Sequence, residues 1–300
     1  LEVGARVVRK ALLSTSDPAL VLHAGDLVQQ RDGGVHDDEW GEWHETGGGL
    51  FAAIPQLPAA GNHEYLEGPE GEDRWRLGPH WPLAFALPGN GAVGADSTTY
   101  TVEYQGVRFI VLDGTSAREL GTLDAQARWL DDVLSRNTAR WTVVLMHQPL
   151  FPCARPNPPG DLNRAWRPVL EAHRVDLVLQ GHDHCYGRTT DPEGGRAGPE
   201  ARRTPVYLVS VAGGKMYPLN ETSADQTDRL AEDTQLYQTL RFEADRLVYE
   251  AFTATGRLYD AFQIEAGSVG HRLIEEAQPV TAERLCRLRE GPDGVPCTAD

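Results

Sequence analysis

The side chains with the clearest capacity for chemistry are Asp26, Asn62, His147, His182 and His184, each set just beyond a short apolar run. A carboxylate, an amide oxygen and imidazoles are the ligand types that hold borderline ions such as Zn, Mn or Fe, whereas an all-oxygen set would suit Mg or Ca. No thiolate belongs to the set. His182 and His184 stand two positions apart in Gly181-His182-Asp183-His184, and in an extended chain such neighbours project to opposite sides. One ion is hard for both rings to reach. Two neighbouring ions bridged by a shared carboxylate satisfy that geometry.

The elements that must position these residues are short buried strands. Residues 21–24 run into Gly25-Asp26, 57–60 into Gly61-Asn62-His63-Glu64, 141–146 into His147-Gln148-Pro149, and 175–180 into Gly181-His182-Asp183-His184. Continuous apolar runs with polar tips are how parallel strands covered on both faces read. Crossover helices are expected at 123–136, where Trp129, Leu130, Val133 and Leu134 follow Thr122 as N-cap, and at 164–173. Residues 1–13 read as an amphipathic helix. Hairpins are expected over 100–112 around Gln105-Gly106 and over 247–264 around Thr255-Gly256, so the sheets are mixed. Two long polar loops, 67–96 and 152–161, each follow a ligand candidate and are expected to wall a cleft, and the Gly/Pro-rich loop 187–204 is expected to be solvated.

The order of these blocks, Gly25-Asp26-Leu27-Val28, Gly61-Asn62-His63-Glu64, Leu145-Met146-His147 and Gly181-His182-Asp183-His184, resembles that of the calcineurin-like metallophosphoesterases over residues 20–265. GNHEY and GHDHCYGR are closest to the branch containing purple acid phosphatases. The resemblance implies an α/β fold in which two mixed β-sheets pack as a sandwich flanked by helices. It implies a hydrolase that cleaves phosphoester bonds with a pair of Mn, Zn or Fe ions and a metal-bridging hydroxide. Asp26 would bridge both ions, Asn62, His147 and His182 would complete one, and His184 would serve the other. His63 would be the general acid at the leaving group, a task suited to an imidazole tunable near neutral pH, with Glu64 orienting it. The expected partner is a small-molecule phosphoester. The competing reading is a non-catalytic metal-binding or scaffold relative that has lost one metal site.

Two positions depart from the family pattern. The opening block, an Asp closely followed by His, Gln or Gly on a first strand, does not precede Asp26, so one ion is left with Asp26 and His184, and the block is expected to lie upstream of Leu1. Three protein ligands are the usual complement of a catalytic metal. Gln29 stands where purple acid phosphatases carry a Tyr three residues after the bridging Asp, so no purple charge-transfer colour is expected.

With 300 residues and 40% apolar content the chain is long enough for one sizeable core. A phosphoesterase domain is expected over 1–266, N-terminally incomplete, with a C-terminal tail over 267–300 that forms a capping helix at 281–289 or a flexible end. The net charge of -16 argues against a nucleic-acid backbone as partner. No run approaches the roughly 20 apolar residues that span a bilayer. The cysteines at 153, 185, 286 and 297 lack CxxC spacing. Cys286 and Cys297 either close a short loop, which would favour a secreted or periplasmic protein, or stay reduced.

Other polar and aromatic residues have plainer readings. His23 is expected to be a buried, hydrogen-bonded histidine, while His36, His44, His80 and His173 belong to polar loops or a helix end. Trp40 and Trp43 are expected to pack one helix face, with substrate stacking as the alternative. Tyr186 and Arg188 either touch a phosphate or form a salt bridge, and Asp113 is expected to hold a loop near the metals.

Overall fold

A computed structural model describes residues 2–29, 36–68, 75–155, 160–190, 205–220, 223–267, 270–275 and 281–285. Helix α1 (Glu2–Ser14) leads to strand β1 (Val21–His23), helices α2 (Asp37–Gly47) and α3 (Gly49–Ala53), and strand β2 (Gln56–Pro58). A 3-10 turn over Asn62–Glu64 enters a small ladder of β3 (Tyr65–Leu66) and β4 (Arg76–Leu77), followed by α4 (Trp81–Ala84). The middle of the chain forms β5 (Tyr100–Tyr104), β6 (Val107–Val111), α5 (Gly114–Glu119), α6 (Leu123–Ser135), β7 (Trp141–Leu145), α7 (Gly160–Ala172) and β8 (Leu177–Gln180). After it come β9 (Tyr186–Thr189), β10 (Val206–Val209), α8 (Ser223–Gln226), β11 (Arg229–Ala231), β12 (Leu236–Phe242), β13 (Arg246–Thr253), β14 (Leu258–Ala266) and β15 (His271–Glu275).

These strands build the expected sandwich. The larger sheet has the order β11-β9-β10-β8-β7-β6-β5. Its centre is parallel and its flanks antiparallel. The facing layer combines the parallel pair β1-β2 with the antiparallel sheet β12-β13-β14-β15. Because side chains alternate along a strand, successive residues of the central strands feed different cores. Val143 and Leu177 pack toward Leu247, Tyr249 and Phe262 of the facing layer. Val144 and Val178 pack toward Leu130 and Leu134 of α6 and Leu162, Trp166 and Leu170 of α7. Both faces are dry, which is why the strands read as unbroken apolar runs.

The two hairpins and the α6 crossover lie where the sequence places them. Helix α7 starts a turn earlier than expected, at Gly160, because Leu162 extends the buried stripe of Trp166 and Leu170. β15 continues the four-stranded sheet beyond residue 266 by pairing with β14. Its docking is largely polar: His271 bonds Asp176 and Glu275 pairs with Arg188, so little hydrophobic periodicity announces it. Residues 281–285, the described part of the expected capping helix, are not helical, and Arg284 instead bridges to Ala231.

Candidate metal centre and cleft

Asp26 and Asn62 leave the ends of β1 and β2, and His147, His182 and His184 follow β7 and β8. The two layers meet here. Gly25 has φ 85°, and a Cβ on it would lie 2.7 Å from Nδ1 of His147. A Cβ on Gly61 would collide with the Asp26 carboxylate. Both glycines are required by this close approach, and they supply the Gly of the Gly-Asp and Gly-Asn-His blocks. Asp26, His182 and His184 all have positive φ, of 54°, 69° and 47°. Left-handed backbone is uncommon for residues other than glycine and concentrates at functional sites.

Nδ1 of His147 lies 2.7 Å from the carbonyl oxygen of Ala24. A carbonyl only accepts, so Nδ1 carries the proton and Nε2 of the neutral ring is a bare lone pair. Around that atom stand Oδ2 of Asp26 at 3.0 Å, Nδ1 of His182 at 3.1 Å and Oδ1 of Asn62 at 3.3 Å. The carboxylate and amide oxygens among them are acceptors, a gathering that suits positive charge at this point, as a proton on Nε2 or as a metal ion in its place. Burial pulls the His147 ring down, but the Asp26 carboxylate beside it raises it above the ordinary histidine value. Burial would raise Asp26, yet His147 and His63 hold its carboxyl well below the usual range. His182 is depressed to about 2 by burial and by the charges of His147 and Arg155. The ring of His184 is also lowered by burial. The ionised Asp26 and the neutral His182 and His184 are in the protonation states a cation needs, and the proton that Asp26 favours on His147 is one a cation would displace, so the residues present fit a bound metal ion.

The expected site residues do not all fall in one cluster. Asp26, His147 and His182 offer ligand atoms within 4.8 Å of one another, and Asn62 joins them through the contact to His147. His184 stands outside that set but lines the same cleft. Its ring stacks on Tyr217 at 4.6 Å, and its buried Nδ1 has no hydrogen-bond partner among the described residues. His63 donates its backbone N–H to Oδ1 of Asp26 and holds its own Nε2 4.0 Å from Oδ2. Glu64 grips the Asp26 turn: its fully buried carboxylate accepts from the backbone N–H groups of Asp26, Leu27 and Gly61 at 2.9, 2.7 and 2.6 Å. Burial and the nearby Asp26 charge push Glu64 up to about 7 against those donors.

A cleft of about 220 Å³ opens over the centre. Glu67 and Trp75 reach it from one of the long loops, Arg155 from the other, and Lys215 and Tyr217 from the segment after β10. None of the last four stood out in the sequence, since loop residues carry no periodicity. Arg155 is held by Asp183 of the Gly-His-Asp-His block. That buried carboxylate accepts from Arg155 Nη1 at 3.0 Å and from its backbone N–H at 3.1 Å. A disulfide between Cys153 and Cys185 ties the same loop to the histidine pair. Cys286 and Cys297 lie outside the described residues.

The remaining expectations resolve toward structure. Trp40 and Trp43 are buried in an aromatic cluster with Trp81 and Phe85. Arg188 is buried against Asp260 at 2.8 Å and pairs with Glu275, while Tyr186 donates to Asp260. Asp113 caps α5 through the Ser116 N–H and accepts from Tyr65, a cleft residue. His23 bonds Gln56 at 2.6 Å, and His80 and His173 pair with Asp37 and Asp131. Among the described residues no helix is long and apolar enough to cross a membrane.

Comparison with known proteins agrees with this geometry. An uncharacterized protein of Mycobacterium tuberculosis is 31% identical over 237 residues, covering 68% of this chain and 43% of the relative. A purple acid phosphatase of Glycine max is 27% identical over 213 residues, covering 68% of this chain and 42% of that protein. The chain thus spans less than half the length of either. A purple acid phosphatase from yellow lupin (Lupinus luteus) seeds shares the fold with a TM-score of 0.62 at 20% identity, over 88% of this chain and 49% of that one. The sequence model of the calcineurin-like phosphoesterases matches residues 5–186, and with its metal-ligand types gathered at the strand ends the chain belongs to that family, on the side of the purple acid phosphatases.

Proposed function

We propose that this protein hydrolyses small-molecule phosphoesters with metal ions held at the Asp26 centre. The observation that carries the proposal is the convergence of Asp26 Oδ2, Asn62 Oδ1 and His182 Nδ1 on Nε2 of His147. Asp26, Asn62, His147 and His182 would hold one ion, and Asp26 with His184 a second. The donor set suits Mn, Zn or Fe. Bound ions supply Lewis-acid charge for activating water and for holding phosphoryl oxygens.

The chain's own residues do the positioning and move the proton. Glu64 fixes the turn that aims Asp26, and Ala24 fixes the tautomer of His147, an arrangement that orients a ligand before it is used. His63 is fastened to Asp26 through its backbone and turns its ring into the cleft. From there it gives its proton to the departing oxygen, a contribution of about 10²–10⁴-fold for general acids of this kind. We assign the activity to residues 1–266 together with the paired strand at 271–275. The Cys153–Cys185 bridge supports a secreted or periplasmic location, since such bonds persist in oxidising compartments.

A second reading, a metal-binding module without turnover, draws on the position of His184 outside the cluster. Assays with phenyl phosphate and diphenyl phosphate, each with added Mn or Zn, separate the two. Metal-dependent release of phenol supports the hydrolase. Tight metal binding with no turnover of either ester overturns it in favour of the module.

A further inference from the structure

We propose that Asp113 is a positioning residue for the reaction, holding the turn that carries His63 in place through the hydroxyl of Tyr65. The inference rests on the phosphoesterase reading and adds to it a residue that belongs neither to the donor set nor to the cleft lining.

Asp113 is fully buried just beyond β6. Neutral donors meet its carboxylate: the Tyr65 hydroxyl at 2.5 Å and the Ser116 N–H at 2.8 Å, with the Thr98 side chain and the Thr115 backbone adding to them. Burial pushes the carboxyl up against these donors. An acid sunk among neutral groups costs stability that an apolar side chain of similar shape would not, and such acids gather where function needs them.

The contact with Tyr65 leads to the site. Tyr65 lines the cleft, and its N–H donates to the Asn62 carbonyl, closing the 3-10 turn that contains Asn62, His63 and Glu64. The start of that turn is fastened to the Asp26 side: Glu64 accepts from the Gly61 N–H, and the His63 N–H donates to Asp26. Its end is fastened by the Tyr65–Asp113 bond and by the Gly78 N–H on the Glu64 carbonyl. Metal donors and general acid are thus held by different bonds.

The same element reaches the other side of the centre. Asp113 caps α5, and Thr115 of α5 accepts at Oγ1 from Gln148, the neighbour of His147, at 2.7 Å. Gln126 of α6 steadies the cap by bonding both the N–H and the carbonyl of Asp113, at 2.9 and 2.7 Å. The first turn of α5 is therefore a common reference for His63 and His147. Such a reference matters because a misplacement of about 1 Å at a reacting group can cost about a hundredfold in rate.

The test compares wild type with Tyr65→Phe, which keeps the ring in the cleft and removes only the hydroxyl, and with Asp113→Asn. Each is also placed on His63→Ala. The readouts are kcat and KM for an alkyl phosphate and for nitrophenyl phosphate, Mn affinity by calorimetry, and the urea midpoint. Tyr65→Phe is expected to lower kcat for the alkyl ester by about tenfold or more, and by less for nitrophenyl phosphate, with KM and Mn affinity unchanged. Asp113→Asn should follow the same pattern. On His63→Ala neither change should lower kcat further, because the group they position is gone. A fall in urea midpoint with kcat unchanged overturns the proposal, as do equal losses on both esters or a further loss on His63→Ala. If wild type cleaves neither ester, the hydrolase reading fails, and the anchor is judged by hydrogen exchange at the His63 amide. Faster exchange in Tyr65→Phe upholds the anchor, and unchanged exchange overturns it.

Discussion

Nε2 of His147 lies 3.0 Å from Oδ2 of Asp26, while Nδ1 of the same ring is committed to the carbonyl of Ala24. The ring can therefore offer Asp26 only a lone pair or an extra proton. Replacing Asp26 by Asn removes the charge around which the other donors gather. Mn or Zn affinity, measured by titration, should fall by at least about tenfold to a hundredfold, the range seen when even a supporting group of a metal site is lost. Metal-dependent thermal stabilisation should disappear with it. An Asp26→Asn protein that binds metal as wild type does would show that the centre lies elsewhere.

His63→Ala tests a different role. His63 sits 4.0 Å from the carboxylate rather than among the convergent atoms. Metal content should stay that of wild type while kcat falls by about a hundredfold or more. The loss should be larger for alkyl phosphates than for nitrophenyl phosphate, because a good leaving group needs less protonation. Equal losses on both esters would count against the general-acid role.

Arg188 is buried with Asp260, and Glu275 reaches the same guanidinium from β15. Arg188→Met leaves the Asp260 carboxylate buried without its counter-charge, a loss of about 3–5 kcal/mol. Urea titration should show it, and adding Asp260→Asn should restore part of the stability. A single variant as stable as wild type would mean that the pair holds nothing together.

His23 is packed edge-on against Trp43 and Phe51 and bonds Gln56. Burial lowers its ring below the ordinary histidine value, against that hydrogen bond. Above pH 6.5 the ring is neutral in both folded and unfolded chains and costs nothing. As the pH falls below 6.5 only the unfolded chain takes the proton, so stability is lost. His23→Gln should flatten the decline of the urea midpoint between about pH 6.5 and pH 5. An unchanged slope would remove His23 from the acid sensitivity.

The donor residues are legible in sequence because each follows a short apolar run, buried on both faces in the strands before His147 and His182, and because Gly25 and Gly61 must be glycine for the layers to touch. The sandwich was legible for the same reason, as Val143 and Val144 serve opposite cores. Less visible was whatever depends on side chains meeting through loops. Trp75, Arg155, Lys215 and Tyr217 reach the cleft from irregular segments. The Cys153–Cys185 pairing cannot be deduced from four cysteines without a structure. Asp183, to which the sequence alone assigns no role, sets the position of Arg155. β12, absent from the sequence reading, joins its sheet through pairing with β13.

The donors are drawn from both sides of the sandwich: Asp26 and Asn62 follow β1 and β2, and His147 and His182 follow β7 and β8. A cation seated among them acts as a rivet through stacked plates. Each plate keeps its own ladder without the rivet, but at this end of the sandwich the alignment of one over the other then depends mainly on apolar contact, with the Arg188–Asp260 and His271–Asp176 pairs elsewhere in the seam. Stripping the ion should loosen the seam before it loosens either sheet, and hydrogen exchange at the amides of Asp26 and His63 should register that slippage first.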